Sequence, residues 1–153
     1  MKEVSILFVC HGNICRSPMA ESVMAHLASL ENLPISVGSA ATSRDAIGSP
    51  PHTMTRRVLA EHDIPLIPHI STSLSKDDYN KYDLLIGMDS ANIRNMKKLM
   101  AGDPKNKISR LLDFTIQERD IDDPWYTDKY DITFKDVSFG CNELLKYLKE
   151  NYV

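Results

Sequence analysis

Apolar residues fall along the chain in short blocks, separated by stretches in which they recur every three or four positions. Residues 4–9 form the first block, and this nearly uninterrupted apolar run is typical of a buried strand. The stretch 20–31 follows with helical spacing, at Val23, Met24, Leu27 and Leu30. The two patterns predict a strand that leads into an amphipathic helix.

The same alternation continues to the C-terminus. Further strands are predicted at residues 34–39, 82–88 and 108–114. Helices are predicted at residues 52–63, 89–100 and 132–147, with a helical turn at 77–81. The segments 42–51, 64–75 and 117–131 are rich in Pro, Gly, Ser or Asp and predict loops. Strands that alternate with helices indicate an α/β fold, a parallel sheet with helices on both faces, in a single domain over residues 1–153.

The ends of the predicted strands indicate where a ligand would bind. Ligands of parallel sheets lie beyond the carboxyl ends of the strands. The first strand leads to Cys10, the second ends near Ser39 and the third near Asp89. We therefore expect these three residues to converge on one site.

Composition and charge narrow the class of protein. Apolar residues make up 42% of the chain and charged residues 25%, as in soluble globular proteins. The net charge of −3 and the lack of a basic run argue against nucleic acid as a partner. No apolar run approaches about 18 residues and no leader-like segment precedes the first strand, so we expect a cytoplasmic protein that does not enter the membrane. Three cysteines, an odd number, do not make a secreted disulfide framework.

The turn between the first strand and the first helix carries the candidate chemistry. A strand, a tight polar turn and a helix start direct backbone N–H groups and the helix dipole at one point, which suits phosphate. Cys10 lies at the end of the strand, six positions before Arg16. A thiol near a helix N-terminus and a guanidinium loses its proton readily, so its thiolate can attack phosphorus. Arg16 can then hold two phosphoryl oxygens with its planar fork.

The residues between Cys10 and the helix fit the same function. Gly12 and Asn13 tolerate the backbone conformation that turns N–H groups inward. Ser17 can hydrogen-bond the sulfur, and Pro18 suits a first helical turn, where no N–H is needed. The alternative, a buried structural cysteine beside a surface arginine, explains the spacing but not the complete string.

A displaced alkoxide also needs a proton, which one carboxyl group can supply before acting as a base toward water. The acidic segment offers six candidates: Glu118, Asp120, Asp122, Asp123, Asp128 and Asp131. Composition does not choose among them, and most are expected to be solvated. Asp123 stands out because Pro124 restrains it and an aromatic residue follows, with Asp122 as the alternative.

These motifs resemble those of the low-molecular-weight protein tyrosine phosphatases. The matching string runs Cys10-His11-Gly12-Asn13-Ile14-Cys15-Arg16-Ser17-Pro18, with a second match at Asp123-Pro124-Trp125. The resemblance implies the sheet order 2-1-3-4, and it makes Cys10 the nucleophile, Arg16 the phosphate clamp and Asp123 the general acid and base. Residues 11–16 would bind the phosphate. No cofactor is implied, and no His/Cys spacing indicates a metal.

The resemblance also assigns the walls of the substrate pocket. Trp125 and Tyr126 would stack on a phenyl phosphate. Most eukaryotic members carry an aromatic residue on the opposite wall, where this chain has Asp45, which would weaken stacking and repel acidic peptides. His11 stands where the family often has an aliphatic residue. It either adds positive charge at the rim or is simply solvated.

By the same resemblance, a hydrogen-bond network braces Asn13. The matching positions are Ser17, Ser39, His69 and Asp89. Asp89 could instead cap a helix, and His69 could be a surface residue. Three other histidines, His26, His52 and His62, carry no motif and receive no role.

Cys15 has two open interpretations. It could be a small buried thiol, or it could form a disulfide with oxidised Cys10 and so protect the nucleophile. Cys141, on the inner face of the last predicted helix, is expected to be inert.

Four functions remain open at this stage. The first is a tyrosine phosphatase acting through a phosphocysteine intermediate on phosphotyrosine proteins or peptides. Arsenate reductase on the same fold would need a further cysteine pair, which is missing between Cys15 and Cys141. A phosphoarginine phosphatase would be expected to have threonine at Ile14. A phosphate-binding module without turnover is the fourth. Phosphate, sulfate and arsenate are the expected anionic ligands, and we expect a monomer, or at most a weak dimer.

Overall fold

The fold is built around a four-stranded parallel sheet. The computed structural model describes residues 2–152. Its four parallel strands are β1 (Val4–Cys10), β2 (Ile35–Ala41), β3 (Leu84–Gly87) and β4 (Ile108–Arg110). They are ordered β2-β1-β3-β4, which confirms the predicted α/β fold and its strand order.

Helices cover both faces of this sheet. They are α1 (Arg16–Leu30), α2 (Thr53–Glu61), α3 (Asp78–Lys81), α4 (Ser90–Leu99), α5 (Pro124–Thr127) and α6 (Tyr130–Asn151). A 3-10 helix, Leu111–Phe114, follows β4. No helix within residues 2–152 is long and apolar enough to cross a membrane.

Alternation along β1 divides the buried core into two clusters. Ile6 and Phe8 face one side, where α1, α2 and α6 contribute most of the other buried residues. Leu7 and Val9 face the other side and pack with residues of β3 and α4. Side chains of successive strand residues point to opposite faces, so a strand buried on both faces reads as a continuous apolar run. This is the run that the sequence shows at residues 4–9.

The fourth strand is shorter than predicted. The strand expected at residues 108–114 ends at Arg110, and the chain then turns into the 3-10 helix. Leu111 and Leu112 are both fully buried, which a strand covered on one face would not achieve for neighbouring residues. Leu111 packs closely against α6 at Gly140, where an added Cβ would lie only 2.5 Å from Leu111 Cγ.

Helix boundaries also differ from the prediction. Helix α1 begins at Arg16 rather than at residue 20, so its first turn lies directly after the polar turn. Helix α6 begins at Tyr130, and a single helical turn, α5, interrupts the segment predicted as an acidic loop. These three helix starts place Arg16, Asp123 and Tyr130 at helix N-termini near one another.

Candidate active site

Residues 10–16 connect β1 to α1 in a loop whose carbonyl groups are held from outside. Four of these carbonyls accept hydrogen bonds from segments outside the loop and α1: Cys10 from Thr42 N (3.0 Å), His11 from Ser43 N (3.0 Å), Gly12 from the Ser71 hydroxyl (2.8 Å) and Ile14 from His52 N (2.8 Å). The N–H groups of Gly12, Ile14 and Cys15 donate to no acceptor within residues 2–152. The loop therefore offers N–H donors at the start of α1, the arrangement that binds an anion.

Cys10 lies at the centre of this loop. Its side chain is 3% exposed, and its Sγ lies 3.0 Å from the hydroxyl of Ser17. The backbone N–H of Asn13 donates to the same sulfur at 3.2 Å. Hydrogen bonds to a thiolate favour the charged form, so both contacts prepare the sulfur to act as a nucleophile.

Asn13 is held in a left-handed backbone conformation, with φ of 58°. Its Nδ2 donates to the hydroxyls of Ser17 (2.7 Å) and Ser39 (2.9 Å). Its Oδ1 accepts from His69 Nε2 (2.6 Å) and Thr72 N (3.1 Å). Four hydrogen bonds thus fix a fully buried residue in a conformation that few non-glycine residues adopt. Three of the four residues predicted to brace Asn13 lie in contact with it.

The network continues into the protein through Ser39 to Glu21, a residue that sequence reasoning missed. The Ser39 hydroxyl donates to Glu21 Oε1 at 2.6 Å. Burial raises the pKa of Glu21, and the hydrogen bond from Ser39 offsets part of that effect. Burial lowers the pKa of His69, which favours the neutral imidazole behind the loop. The helical spacing of α1 places Glu21 on a buried face, but nothing in the sequence distinguishes it from an exposed glutamate.

Arg16 is the largest fully buried polar side chain, 1% exposed. Its Nη1 donates to Asp89 Oδ2 (2.6 Å) and to the Ile121 carbonyl (2.8 Å). Its Nη2 makes a longer contact of 3.4 Å to Asp123 Oδ2, and its Nε has no partner in the described part of the chain. The protein therefore anchors one side of the guanidinium and leaves the edge formed by Nε and Nη2 for two oxygens of an anion.

The charge on Arg16 is maintained despite its burial. Desolvation lowers the pKa of Arg16, but the negative charges of Cys10, Asp123 and Asp89 raise it, and the net direction is upward. Asp89 was predicted for the network around Asn13. The structure instead places its carboxylate against Arg16 and at the N-cap of α4, where it accepts from Asn92 N at 2.7 Å. Asp89 thus fixes the guanidinium relative to the sheet.

Asp123 opens the one-turn helix α5. Its Oδ1 accepts from Trp125 N at 3.1 Å, and Pro124 occupies the first helical position. The carboxyl group lines the same cavity as Cys10, whereas the neighbouring Asp122 is exposed and lies outside that lining. The geometry therefore favours Asp123 over Asp122 as the group that faces a ligand.

The cavity over the loop has a volume of about 230 Å³. It is lined by Cys10, His11, Gly12, Ile14, Cys15, Asp45, Ala46, Asp123, Trp125 and Tyr126. Trp125 and Tyr126 are largely exposed, so they form a wall that a ring could cover. His11 Nε2 lies 2.7 Å from Asp45 Oδ2, a contact that neither interpretation of His11 anticipated. Because the two side chains are 47% and 75% exposed, this pair contributes little to stability.

His52 is a second residue that sequence reasoning missed. Its ring nitrogen Nδ1 accepts from Met54 N and so caps α2. Its backbone N–H donates to the Ile14 carbonyl of the loop. Its ring stacks on Tyr130 at 5.2 Å and meets Trp125 edge-on at 5.9 Å. The pair Pro51-His52 before a helix is the only signal in the sequence, and it indicates the cap rather than the ring contacts.

The other two cysteines have different surroundings. Cys15 is buried, and burial raises its pKa to about 11, with the Tyr130 hydroxyl 3.6 Å from its Sγ. Cys141 is fully buried in α6, which raises its pKa further. All three cysteines are free thiols. No group of three or more His, Cys, Asp or Glu side chains suited to a metal ion occurs among residues 2–152.

Comparison with known proteins identifies relatives of the whole chain. The model of the low molecular weight phosphotyrosine protein phosphatase family matches residues 5–153. A low molecular weight protein-tyrosine-phosphatase PtpA of Staphylococcus saprophyticus is 37% identical over 147 residues, covering 95% of this chain and 94% of its own length. The crystal structure of YfkJ from Bacillus subtilis, 32% identical, superposes with a TM-score of 0.96 over 100% of this chain and 99% of its own.

A third relative shows which kind of ligand such a site accepts. The protein tyrosine phosphatase of Entamoeba histolytica is 27% identical, with a TM-score of 0.90 over 99% of this chain and all of its own. Its crystal structure was determined with Hepes in the active site. Hepes carries a sulfonate, so the active site of that relative holds a molecule with a tetrahedral anionic group.

Proposed function

The chain belongs to the low molecular weight phosphotyrosine protein phosphatase family, and from this membership we propose that it hydrolyses phosphotyrosine through a phosphocysteine intermediate. It is a low molecular weight protein-tyrosine phosphatase, and the proposal concerns how its residues do the chemistry. One observation supports it most directly: Cys10 and Asp123 line a single cavity, and Arg16, which is buried outside that lining, contacts Asp123 Oδ2 through its Nη2 at 3.4 Å.

In the first step the Cys10 thiolate attacks phosphorus. An S–P bond forms while the bond between phosphorus and the tyrosyl oxygen breaks, and the carboxyl group of Asp123 gives its proton to that oxygen. The free N–H groups of the loop and the Nε–Nη2 edge of Arg16 hold the three phosphoryl oxygens. These donors stabilise the charge that spreads over the oxygens in the transition state.

In the second step the Asp123 carboxylate takes a proton from water. The water oxygen bonds to phosphorus, the S–P bond breaks, and the Cys10 thiolate and inorganic phosphate are the products. The hydroxyl of Ser17, 3.0 Å from Sγ, stabilises the departing thiolate. Inorganic phosphate, sulfate and arsenate are therefore expected to compete with substrate for the same donors.

Tyrosine is the phosphorylated residue that the cavity favours. The exposed rings of Trp125 and Tyr126 offer an apolar wall to a phenyl group. Ile14 contributes an apolar side chain to the lining, where resemblance to phosphoarginine phosphatases would require a hydroxyl. Of the other cysteines, Cys15 is the only one that lines the cavity, which leaves no further pair for arsenate reduction.

The experiment compares para-nitrophenyl phosphate and a phosphotyrosine peptide as substrates for three proteins. Cys10→Ser removes the nucleophile and should lower kcat by at least about 10³-fold on both substrates. Cys141→Ala, a buried thiol in α6, serves as the matched control and should retain turnover. Acid quenching of the wild type should trap phosphate on Cys10, detected by mass spectrometry. Equal rates for wild type and Cys10→Ser would overturn the proposal.

A further inference from the structure

A second cleft, unrelated to any residue of the proposed chemistry, opens between α4 and the end of β2. It has a volume of about 470 Å³. Its lining consists of Ala41, Thr42, Arg44, Ser73, Leu74, Asn95, Lys98 and Leu99. The lining includes two cations and no carboxylate. Apolar contacts come from Ala41, Leu74 and Leu99.

The polar side chains of this cleft are not used by the protein. Arg44, Ser73, Asn95 and Lys98 make no side-chain hydrogen bond or ion pair with any residue from 2 to 152. Two other arginines, in contrast, are paired: Arg16 with Asp89, and Arg110 with Asp113 and Asp120. The cleft thus combines hydrogen-bond donors and positive charge with no carboxylate in its lining, a composition that suits an anionic group.

One backbone segment, residues 42–45, contributes to the lining of both this cleft and the active-site cavity. Thr42 N and Ser43 N donate to the carbonyls of Cys10 and His11, so the segment is fixed against the catalytic loop. Arg44 lines the cleft, and the next residue, Asp45, lines the active-site cavity. On the far side, Ala41 N donates to the Thr72 carbonyl and Leu74 N to the Ala41 carbonyl, which fixes Ser73 beside the cleft.

We propose that the cleft is a subsite for an acidic side chain, Asp or Glu, of the substrate polypeptide, at a position away from the phosphotyrosine. This inference rests on the proposed phosphotyrosine hydrolysis and extends it to the sequence of the substrate. An extended peptide advances roughly 3.3 Å per residue, so two to four residues span roughly 7–13 Å, enough to cross one backbone segment. The carboxylate of Asp45 repels an acidic residue directly beside the phosphotyrosine. The charges of Arg44 and Lys98 attract an acidic residue farther along the peptide.

The test is a scan of phosphotyrosine peptides of equal length. Each contains one Glu, placed in turn at each position from four before to four after the phosphotyrosine, and a parent peptide has Ala at all these positions. The measured quantity is the ratio of kcat/KM for each Glu peptide to that for the Ala parent. We expect a ratio of roughly two to five at one or two positions, the effect of an exposed ion pair, through KM rather than kcat.

Three variants show whether the cleft causes this preference. In the double variant Arg44→Gln/Lys98→Gln the ratio should fall to about one. Lys97→Gln removes the same charge from the neighbouring position of α4, outside the cleft lining, and should keep the wild-type ratio. If the ratio fell equally in Lys97→Gln, the preference would come from the overall positive charge of this surface, and the subsite would be overturned. Raising the salt concentration should lower the wild-type ratio.

The outcomes separate this inference from the proposed function. A wild type that hydrolyses all peptides with the same kcat/KM leaves the phosphatase chemistry standing and overturns the subsite. A wild type that hydrolyses none of the phosphotyrosine peptides overturns both. A preference for Glu that the double variant retains places the acid elsewhere and also overturns the subsite.

Discussion

The three cysteines differ in the groups that surround each sulfur. Cys10 receives a hydrogen bond from Asn13 N and lies beside the Ser17 hydroxyl, with Arg16 close enough for the two to interact electrostatically. Cys15 and Cys141 are buried, and their pKa values are raised, that of Cys15 to about 11. A thiolate reacts and a thiol does not, so only Cys10 has the surroundings of a reactive cysteine.

Iodoacetate should therefore modify one of the three cysteines at pH 7. The expected site is Cys10, because the loop donors attract the reagent's carboxylate and stabilise the sulfur anion. Peptide mapping by mass spectrometry identifies the modified residue, and added phosphate should slow its modification. Modification of Cys15 at a comparable rate would contradict this prediction. The disulfide between Cys10 and Cys15 stays a prediction from the sequence.

Replacement of Asp123 should affect substrates according to their leaving groups. With Asp123→Asn, kcat for phenyl phosphate should fall by about 10²–10⁴-fold, because phenoxide needs a proton to leave. The loss should be much smaller for para-nitrophenyl phosphate, whose leaving group departs as a stable anion. Asp122→Asn changes the adjacent, exposed carboxylate and is the matched control. Equal losses for the two variants would assign the proton to another group.

Residue-level prediction from the sequence is possible where one residue type has a specific chemical function. Cys10, Arg16 and Asp123 are recognised because their types and their neighbours are unusual together. Glu21 was missed because its distinguishing property is burial under Ser39 and His69, which depends on how two distant segments meet α1. A single sequence contains no signal for the contact between those segments and α1.

At the scale of elements, His52 joins three parts of the site. Its backbone N–H holds the loop at Ile14, its Nδ1 caps α2, and its ring lies between Trp125 of α5 and Tyr130 of α6. Helix α5 carries Asp123 at its N-cap. Through its contact with Trp125, the ring of His52 therefore supports the short helix that carries the acid.

Two substitutions separate the cap of His52 from its ring. His52→Asn keeps an N-cap acceptor but loses the ring contacts, whereas His52→Ala loses both. We expect both variants to lower kcat on phenyl phosphate several-fold, and only His52→Ala to lose the further 0.5–2 kcal/mol, roughly, of unfolding free energy that a cap contributes. Steady-state kinetics and urea unfolding measure the two effects. A wild-type kcat in His52→Asn would show that the ring does not position the acid.

The wrong strand end and helix start have a common physical cause. Residues 16–24 of α1 are all buried, so the first half of the helix has no exposed face, and its polar residues do not alternate with apolar ones at a helical period. The strand predicted to residue 114 fails for a related reason, since Leu111 and Leu112 are apolar in sequence as strand residues would be, yet both pack beneath α6. Periodicity locates elements with one exposed face and loses its value where burial is complete.

At the scale of the whole molecule, a titratable pair lies behind the catalytic loop, against the sheet. Burial raises the pKa of Glu21 and lowers that of His69. A raised carboxyl pKa gives stability that is complete below the unfolded value of 4.5 and is lost as the pH rises through the folded value. A lowered histidine pKa gives stability that is present above 6.5 and is lost as the pH falls through the folded value.

Glu21→Gln should test the first of these contributions. The neutral amide can still accept from Ser39, so the variant should gain stability over the wild type as the pH rises from 4.5, and the difference should level off above the folded pKa of Glu21. Urea unfolding between pH 4.5 and 8 measures the difference. Glu3→Gln, an exposed glutamate, is the control and should show no such trend. His69 and Tyr82 interact with Glu21 and are present in both proteins.

Carbonyl groups of residues 10–14 accept hydrogen bonds from segments outside the loop, and this affects the thermodynamics of inhibition. Segments near residues 42, 52 and 71 keep the loop in one shape before any anion arrives. Because the loop is already ordered, the protein should lose little conformational entropy when an oxyanion binds. Amide chemical shifts on titration with phosphate should change around the loop alone and leave the distant strand β4 unchanged.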